Sequence, residues 1–147
     1  MKDLKSLIVD VPDFPKPGVV FKDITPVIQD AEAFNLVIDL MAEVARRFSP
    51  ERVAAIESRG FIFGAALARE LRAGFSLIRK KGKLPRKTLT VLAPNEYAVE
   101  YFEVHLDSIK PGEKVVIIDD LIATGSSAIS AIELVQKLGG RVVAFEA

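Results

Sequence analysis

The chain has 147 residues, 50% of them hydrophobic, which is about one domain's length with enough apolar material for a sizeable core. Its 20 Lys and Arg balance 20 Asp and Glu, so no overall field recruits nucleic acid or an acidic membrane, and any anion site must be local. Having no cysteine and a single histidine, His105, it cannot use disulfides, thiolates, Cys-based zinc or iron–sulfur sites, or histidine clusters. No apolar run approaches the ~20 residues of a membrane span. The charged start Met1 to Lys5 lacks the apolar stretch of a signal peptide, so a soluble, cytoplasmic protein is expected.

In chain order, Met1 to Asp30 holds Pro12, Pro15, Pro17, Gly18 and Pro26 and reads as an extended, turn-rich lobe after a short helix near Lys2 to Val9. Asp30 reads as an N-cap. Phe34, Val37, Ile38, Met41, Val44, Ala45 and Phe48 follow at helical spacing, which predicts a helix over 31–48 with these residues on its buried face. Val53 to Ile56 reads as a buried strand, Glu57 to Gly60 as a loop, Phe61 to Arg72 as a second helix and Phe75 to Arg79 as the next strand. Lys80 to Asn95 is basic and then polar, with Gly82, Pro85 and Pro94, and is expected to be a mobile loop with strand pairing at its base.

Tyr101 to Leu106 alternates. Phe102, Val104 and Leu106 fall on one side and Tyr101, Glu103 and His105 on the other, as a half-exposed strand requires; His105 is read as a surface residue without a role. Pro111-Gly112 turns into the apolar run Val115 to Ile118, a helix is expected over 127–138, Gly139-Gly140 ends it, and Val142 to Phe145 starts a last strand. Strands alternating with helices imply an α/β fold with a parallel sheet of doubly wound type, whose ligands bind beyond the carboxyl ends of the strands.

The densest chemistry lies in Val115 to Ser127. Two carboxylates, Asp119 and Asp120, follow a strand too apolar to hide them, so they should face a crevice and can bind sugar hydroxyls or a metal. Ala123, Thr124, Gly125, Ser126 and Ser127 then form a small, hydroxyl-rich turn into a helix. Its backbone N–H groups and the helix dipole suit a phosphate. Two acids that merely cap the helix are the plainer reading, but capping needs one acid and leaves the hydroxyl turn unexplained. No Walker A or G-x-G-x-x-G pattern occurs. At the ends of the two preceding strands lie Arg59, in Glu57-Ser58-Arg59-Gly60, and the cluster Arg79-Lys80-Lys81-Gly82-Lys83. Each alone would be a surface charge; together with the phosphate turn they suit a ligand phosphorylated at both ends.

The Val115–Ser127 stretch resembles the phosphoribosyl pyrophosphate signature of type I phosphoribosyltransferases. Phe14 to Pro26, Glu57 to Phe61, Arg79 to Pro85 and Glu96-Tyr97 narrow the resemblance to the adenine phosphoribosyltransferases. It implies the type I fold, a mostly parallel central sheet flanked by helices, as one domain over 1–147, with an N-terminal hood over 1–30 and a flexible loop over 80–98. It implies transfer of a phosphoribosyl group from phosphoribosyl pyrophosphate to adenine, giving AMP in purine salvage, with Mg2+ bound mainly through phosphoribosyl pyrophosphate and no metal site of the protein's own. It implies a homodimer, with no nucleic-acid or membrane partner.

By the same resemblance, Ala123, Thr124, Gly125, Ser126 and Ser127 would hold the 5′-phosphate, and Asp119 and Asp120 the ribose hydroxyls. Arg59, Lys83 and the neighbouring subunit's copy of Arg79 would hold the pyrophosphate. Val20, Phe21 and Lys22 would contact adenine. Glu96, near N7 of the base, and Arg59 would be the catalytic residues. A strained peptide between Glu57 and Ser58, with cis as one form, is also implied. Ser126-Ser127 stands where the family usually has Gly-Thr, and Ala98 where it has Gly. The chain stops at Ala147, where relatives continue for another strand and helix, which points to a shortened or remodelled member. A regulatory protein that binds phosphoribosyl pyrophosphate without turnover, and a transferase for another nucleobase, are the alternatives.

Overall fold

The computed structural model describes residues 3–93 and 99–147. Its backbone divides into two compact units, one ending at Leu40 and the other running from Met41 to Ala147. In the first, Asp3 accepts the Lys5 N–H and caps a single 3-10 turn, Leu4–Leu7. The helix expected near Lys2 to Val9 is therefore shorter. From Val9 the chain extends instead, and β1 (Val9–Pro12) pairs antiparallel with β2 (Val20–Asp23). Phe14 and Phe21 meet edge to face at 5.3 Å, and the Phe14–Pro15 peptide is cis. A short helix, α1 (Thr25–Gln29), follows.

Asp30 is the expected cap: its Oδ2 accepts the Ala33 N–H at 2.8 Å and opens α2 (Ala31–Arg46). The buried stripe differs from the expected one. Ala33, Ile38, Ala42 and Ala45 are buried, whereas Val44 and Phe48 are exposed. Alanines carry little weight in a pattern of large apolar residues, yet they are what lets a helix surface approach its neighbours closely.

In the second unit, β3 (Arg52–Ile56), α3 (Gly60–Leu71), β4 (Gly74–Lys80), β5 (Thr88–Leu92), β6 (Tyr101–His105), β7 (Lys114–Ile118), α4 (Ser126–Lys137) and β8 (Arg141–Glu146) build a six-stranded sheet. The strand order is β5-β6-β4-β3-β7-β8. β4, β3, β7 and β8 run parallel, while β6 is antiparallel to both β4 and β5. The sheet is mostly parallel, as expected, and β5 supplies the strand pairing expected within Lys80 to Asn95.

Val53 to Ile56 and Val115 to Ile118 are all at most 2% exposed, because helices cover both faces of these strands. Ala54, Ile56, Val115 and Ile117 form one core with Ala131, Leu134 and Val135 of α4. Burying a side chain of Leu134's size contributes roughly 1.5–3 kcal/mol. On the other face α3 packs on β3 through glycine: a Cβ on Gly64 would lie 2.6 Å from the Ala55 Cβ. Glu103 and Leu106 depart from the expected alternation, since Glu103 is buried and Leu106 exposed. The segment 82–88 meets Glu103 on the side expected to be open, so the half-exposed pattern does not apply there. Ile56 and Ile78 are register partners and Ala55 pairs with Ile118, so the loops after β3, β4 and β7 leave one edge of the sheet. Among the described residues no helix is long and apolar enough to cross a membrane.

Candidate active site

The loop after β7 and the start of α3 enclose a pocket of about 140 Å³ lined by Arg59, Asp119, Asp120, Ala123, Thr124, Gly125 and Ser127, among others. The two helical turns can meet there because residue 60 is glycine. A Cβ on Gly60 would come within 3.1 Å of the Ile118 carbonyl oxygen and 3.2 Å of the Asp119 Cα. Gly125 has φ +89°, a conformation that side chains disfavour, and it turns the chain into α4. The first backbone N–H groups of any helix lack intrahelical acceptors, so this end presents donors and a positive dipole to the pocket.

The hydroxyls of this turn are partly engaged. Thr124 Oγ1 and Ser126 Oγ share a hydrogen bond of 2.9 Å, and the Ser126 N–H reaches Thr124 Oγ1 at 3.3 Å. Ser126, expected in the phosphate site, braces Thr124 and does not line the pocket; Ser127 does. The carboxylates face the pocket as expected. Asp119 Oδ1 accepts the Asp120 N–H at 2.8 Å. Burial, hydrogen bonding between the two side chains and the Asp120 charge push the Asp119 carboxyl up to about 7, against the pull of Arg59. Arg59 Nε lies 2.9 Å from the buried Asp120 Oδ2, which has no other partner among the described residues. The oxygen is paired in charge and can still accept from a ligand hydroxyl.

A second cluster gathers the remaining cations around Glu57. Its Oε1 accepts Lys80 N–H at 2.7 Å and Arg79 Nε at 3.3 Å, and its Oε2 accepts Lys83 Nζ at 2.6 Å. Burial alone would raise the Glu57 carboxyl. The Lys83 and Lys80 hydrogen bonds and the charges of Lys83 and Arg79 overcome it and hold the group below its ordinary value. The Arg79 guanidinium also lies 5.9 Å from the Phe61 ring centroid. Arg79 and Lys83 thus collect at Glu57 and do not line the pocket that holds Arg59. The Glu57–Ser58 peptide is cis.

The sequence reading gave no role to Glu57 or Glu103. Glu103 Oε1 accepts the Gly82 N–H at 3.1 Å and the Leu84 N–H at 3.2 Å, and its Oε2 accepts the Thr88 hydroxyl at 3.2 Å. The signal available was Glu57's position two residues before Arg59, at a strand end. For Glu103 there was none, because its burial depends on the segment 82–88, distant in sequence. Val20, Phe21 and Lys22 lie on β2 in the first unit, where Val20 is exposed and Lys22 Nζ pairs with Asp10 Oδ1 at 2.5 Å. Glu96 lies outside the described residues. Among the described residues no group of three or more His, Cys, Asp or Glu could hold a metal ion.

Residues 27–145 match the family model described as "Phosphoribosyl transferase domain". The chain is 49% identical to an adenine phosphoribosyltransferase of Carboxydothermus hydrogenoformans over 97% of its own length and 84% of that protein. The crystal structure of adenine phosphoribosyltransferase from Thermoanaerobacter pseudethanolicus matches with TM-score 0.93 and 46% identity, covering 97% of this chain and 83% of that one. The Saccharomyces cerevisiae enzyme, crystallised with an imino-altritol bisphosphate and adenine, matches with TM-score 0.91 and 35% identity, covering 98% and 86%. With a mostly parallel sheet, a phosphate-suited turn after two carboxylates and these relatives, the chain belongs to the type I phosphoribosyltransferases, among the adenine phosphoribosyltransferases.

Proposed function

We propose that the protein transfers the 5-phosphoribosyl group of phosphoribosyl pyrophosphate to adenine, forming AMP and pyrophosphate. The observation that carries this reading is the Asp119-Asp120 pair beside the turn into α4, lining one pocket with that turn and with Arg59, whose Nε lies 2.9 Å from Asp120 Oδ2. The turn Ala123 to Ser127 takes the 5′-phosphate. The ribose hydroxyls donate to Asp119 and Asp120. Arg59, Lys83 and Arg79 from the neighbouring subunit of a homodimer take the pyrophosphate, for which Lys83 leaves Glu57. Val20, Phe21 and Lys22 contact adenine. The single-domain organisation, the hood over 1–30 and a cytoplasmic setting belong to the same reading; of the loop expected over 80–98, residues 80–93 carry β5 and the turn bonded to Glu103, and 94–98 lie outside the described residues.

In the reaction, the bond from the anomeric carbon to the pyrophosphate oxygen breaks, pyrophosphate keeps the electron pair, and N9 of adenine bonds to the carbon. Positive charge grows on the ribose and negative charge on the leaving group. Fixed cations around the pyrophosphate and carboxylates at the ribose oppose both. Glu96, beside N7, accepts the ring proton that adenine gives up as N9 forms its bond. Asp119 and Asp120 are hard oxygen donors of the kind magnesium accepts along with substrate phosphates, so a metal carried by phosphoribosyl pyrophosphate fits here. When bound, it neutralises charge on the pyrophosphate group.

The test is direct. The protein is mixed with phosphoribosyl pyrophosphate, magnesium and each nucleobase in turn, and nucleotide is followed by chromatography. AMP from adenine is expected. No nucleotide with any base would end the enzymatic reading, and a nucleotide from a different base alone would reassign the substrate.

A further inference from the structure

We infer that Glu103 is a positioning residue for the pyrophosphate end of the reaction, because it folds the turn that presents Lys83. The inference rests on the reading above, in which Lys83 holds pyrophosphate. Glu103 is 4% exposed, and a carboxylate in the interior needs donors to offset its lost hydration. The three hydrogen bonds described for it all come from the segment 82–88: the N–H groups of Gly82 and Leu84 and the hydroxyl of Thr88. Lys83 sits between the two amide donors. With its neighbours' N–H groups tied inward to one oxygen, the exposed Lys83 side chain runs to Glu57 Oε2 at 2.6 Å.

From Glu57 the arrangement continues to Arg59, two residues on, and from Arg59 to Asp120 at 2.9 Å. Glu103 is also the register partner of Arg79, so one side chain on β6 sits beside the strand that enters the turn and bonds the turn itself. A turn fixed before the ligand arrives loses less conformational freedom on binding. One oxygen serves two amides while the other serves a hydroxyl, and the charge strengthens all three bonds. Glutamine keeps an oxygen for the amides and can donate its own amide to the Thr88 hydroxyl, but as a neutral acceptor it holds the amides less tightly; alanine leaves both amides without an acceptor.

The experiment compares the parent with Glu103→Ala and Glu103→Gln, using calorimetric binding of magnesium pyrophosphate and of AMP together with AMP synthesis. For Glu103→Ala we expect affinity for pyrophosphate to fall about tenfold while AMP affinity stays within about twofold, with Glu103→Gln in between. A role confined to holding the sheet together would lower the melting temperature and leave the ratio of the two affinities unchanged. Should Glu103→Ala not fold, Glu103→Gln and Thr88→Val carry the same comparison, each expected to show a two- to fivefold loss for pyrophosphate alone, by the loss of the carboxylate's charge or of the hydroxyl donor. Equal loss for both ligands, or none, in a working background overturns the proposal. A parent that forms no nucleotide overturns the functional reading and this proposal with it.

Discussion

The turn after β7 and the turn after β4 leave the same edge of the sheet, yet they are held in place by different means. Asp119 to Ser127 is organised mostly by its own residues: Asp119 holds the Asp120 N–H, Thr124 and Ser126 hold each other, and Gly125 supplies the left-handed bend, with Arg59 at Asp120 and the Glu146 carbonyl on the Asp119 N–H as ties from outside. The turn that carries Lys83 is organised by residues far away in sequence, Glu57 from the end of β3 and Glu103 from β6. A turn that is self-contained can be rigid and still offer donors to a ligand. One suspended between two carboxylates has its cations already paired, and a ligand must compete for them.

The comparison breaks most visibly at the self-contained turn. Asp119→Ala and Asp120→Ala are each expected to lower kcat/KM for phosphoribosyl pyrophosphate by about a hundredfold or more, since each removes a charged partner of the ligand. Melting temperature should move little, because groups at the open ends of strands serve a ligand and not the core. Steady-state kinetics beside thermal melts would decide it, and near-normal kinetics in both variants would remove the carboxylates from the site.

Glu96→Gln serves as the reference between the two regions. The side chain keeps its size and loses its capacity to accept a proton. Turnover should therefore fall about a hundredfold while phosphoribosyl pyrophosphate binding is unchanged. An equal loss of binding would make Glu96 a residue that positions the loop. Lys83→Ala tests the suspended turn alone. One charge-assisted contact to pyrophosphate is lost, so its affinity should drop about tenfold or somewhat more, with AMP unaffected. If AMP affinity fell as far, the two turns would be one site and the contrast between them would vanish.

The same contrast explains what could be read from the chain. The strand–Asp-Asp–Thr-Gly–helix order is contiguous, so its fold, its open carboxylates and its left-handed glycine all follow from neighbouring residues, and the structure has them within a residue or two of the expected bounds. Glu103 belongs to the other kind. Alternation put it on the exposed side of a strand, and only the segment 82–88, distant in sequence, meets it there. Arg79 was legible as a cation but not as a partner of Glu57 and Phe61, because the loop after β3 and the end of β4 meet only once the parallel sheet has formed. In α2 the misplaced face has the same origin: small buried alanines are invisible to a pattern weighted by size.

Glu146 gives the smallest expected effect and tests whether the sheet edge carries unbalanced charge outside the two turns, on the strand beside the first. It ends β8, where its carbonyl accepts the Asp119 N–H at 3.1 Å and its buried Oε1 has no hydrogen-bond partner among the described residues. Burial pushes its carboxyl up to about 7 from an ordinary 4.5. Such a group binds its proton more tightly in the folded chain than in the unfolded one. Its contribution is therefore complete below pH 4.5 and declines as pH rises toward 7, opposite in sign to that of Glu57, whose lowered value favours the fold above its unfolded value. Discounted for partial contact with solvent, the loss amounts to about 1 kcal/mol, or about 3 °C in melting temperature between pH 5 and 7.5. Asp119, raised to about 7 as well, adds to the same slope. Glu146→Gln should flatten part of that slope and leave the Asp119 part, as melts across the pH range would record. An unchanged slope would mean that Glu146 ionises in the folded chain as it does in water, and that the edge holds no stored imbalance beyond Asp119 and Asp120.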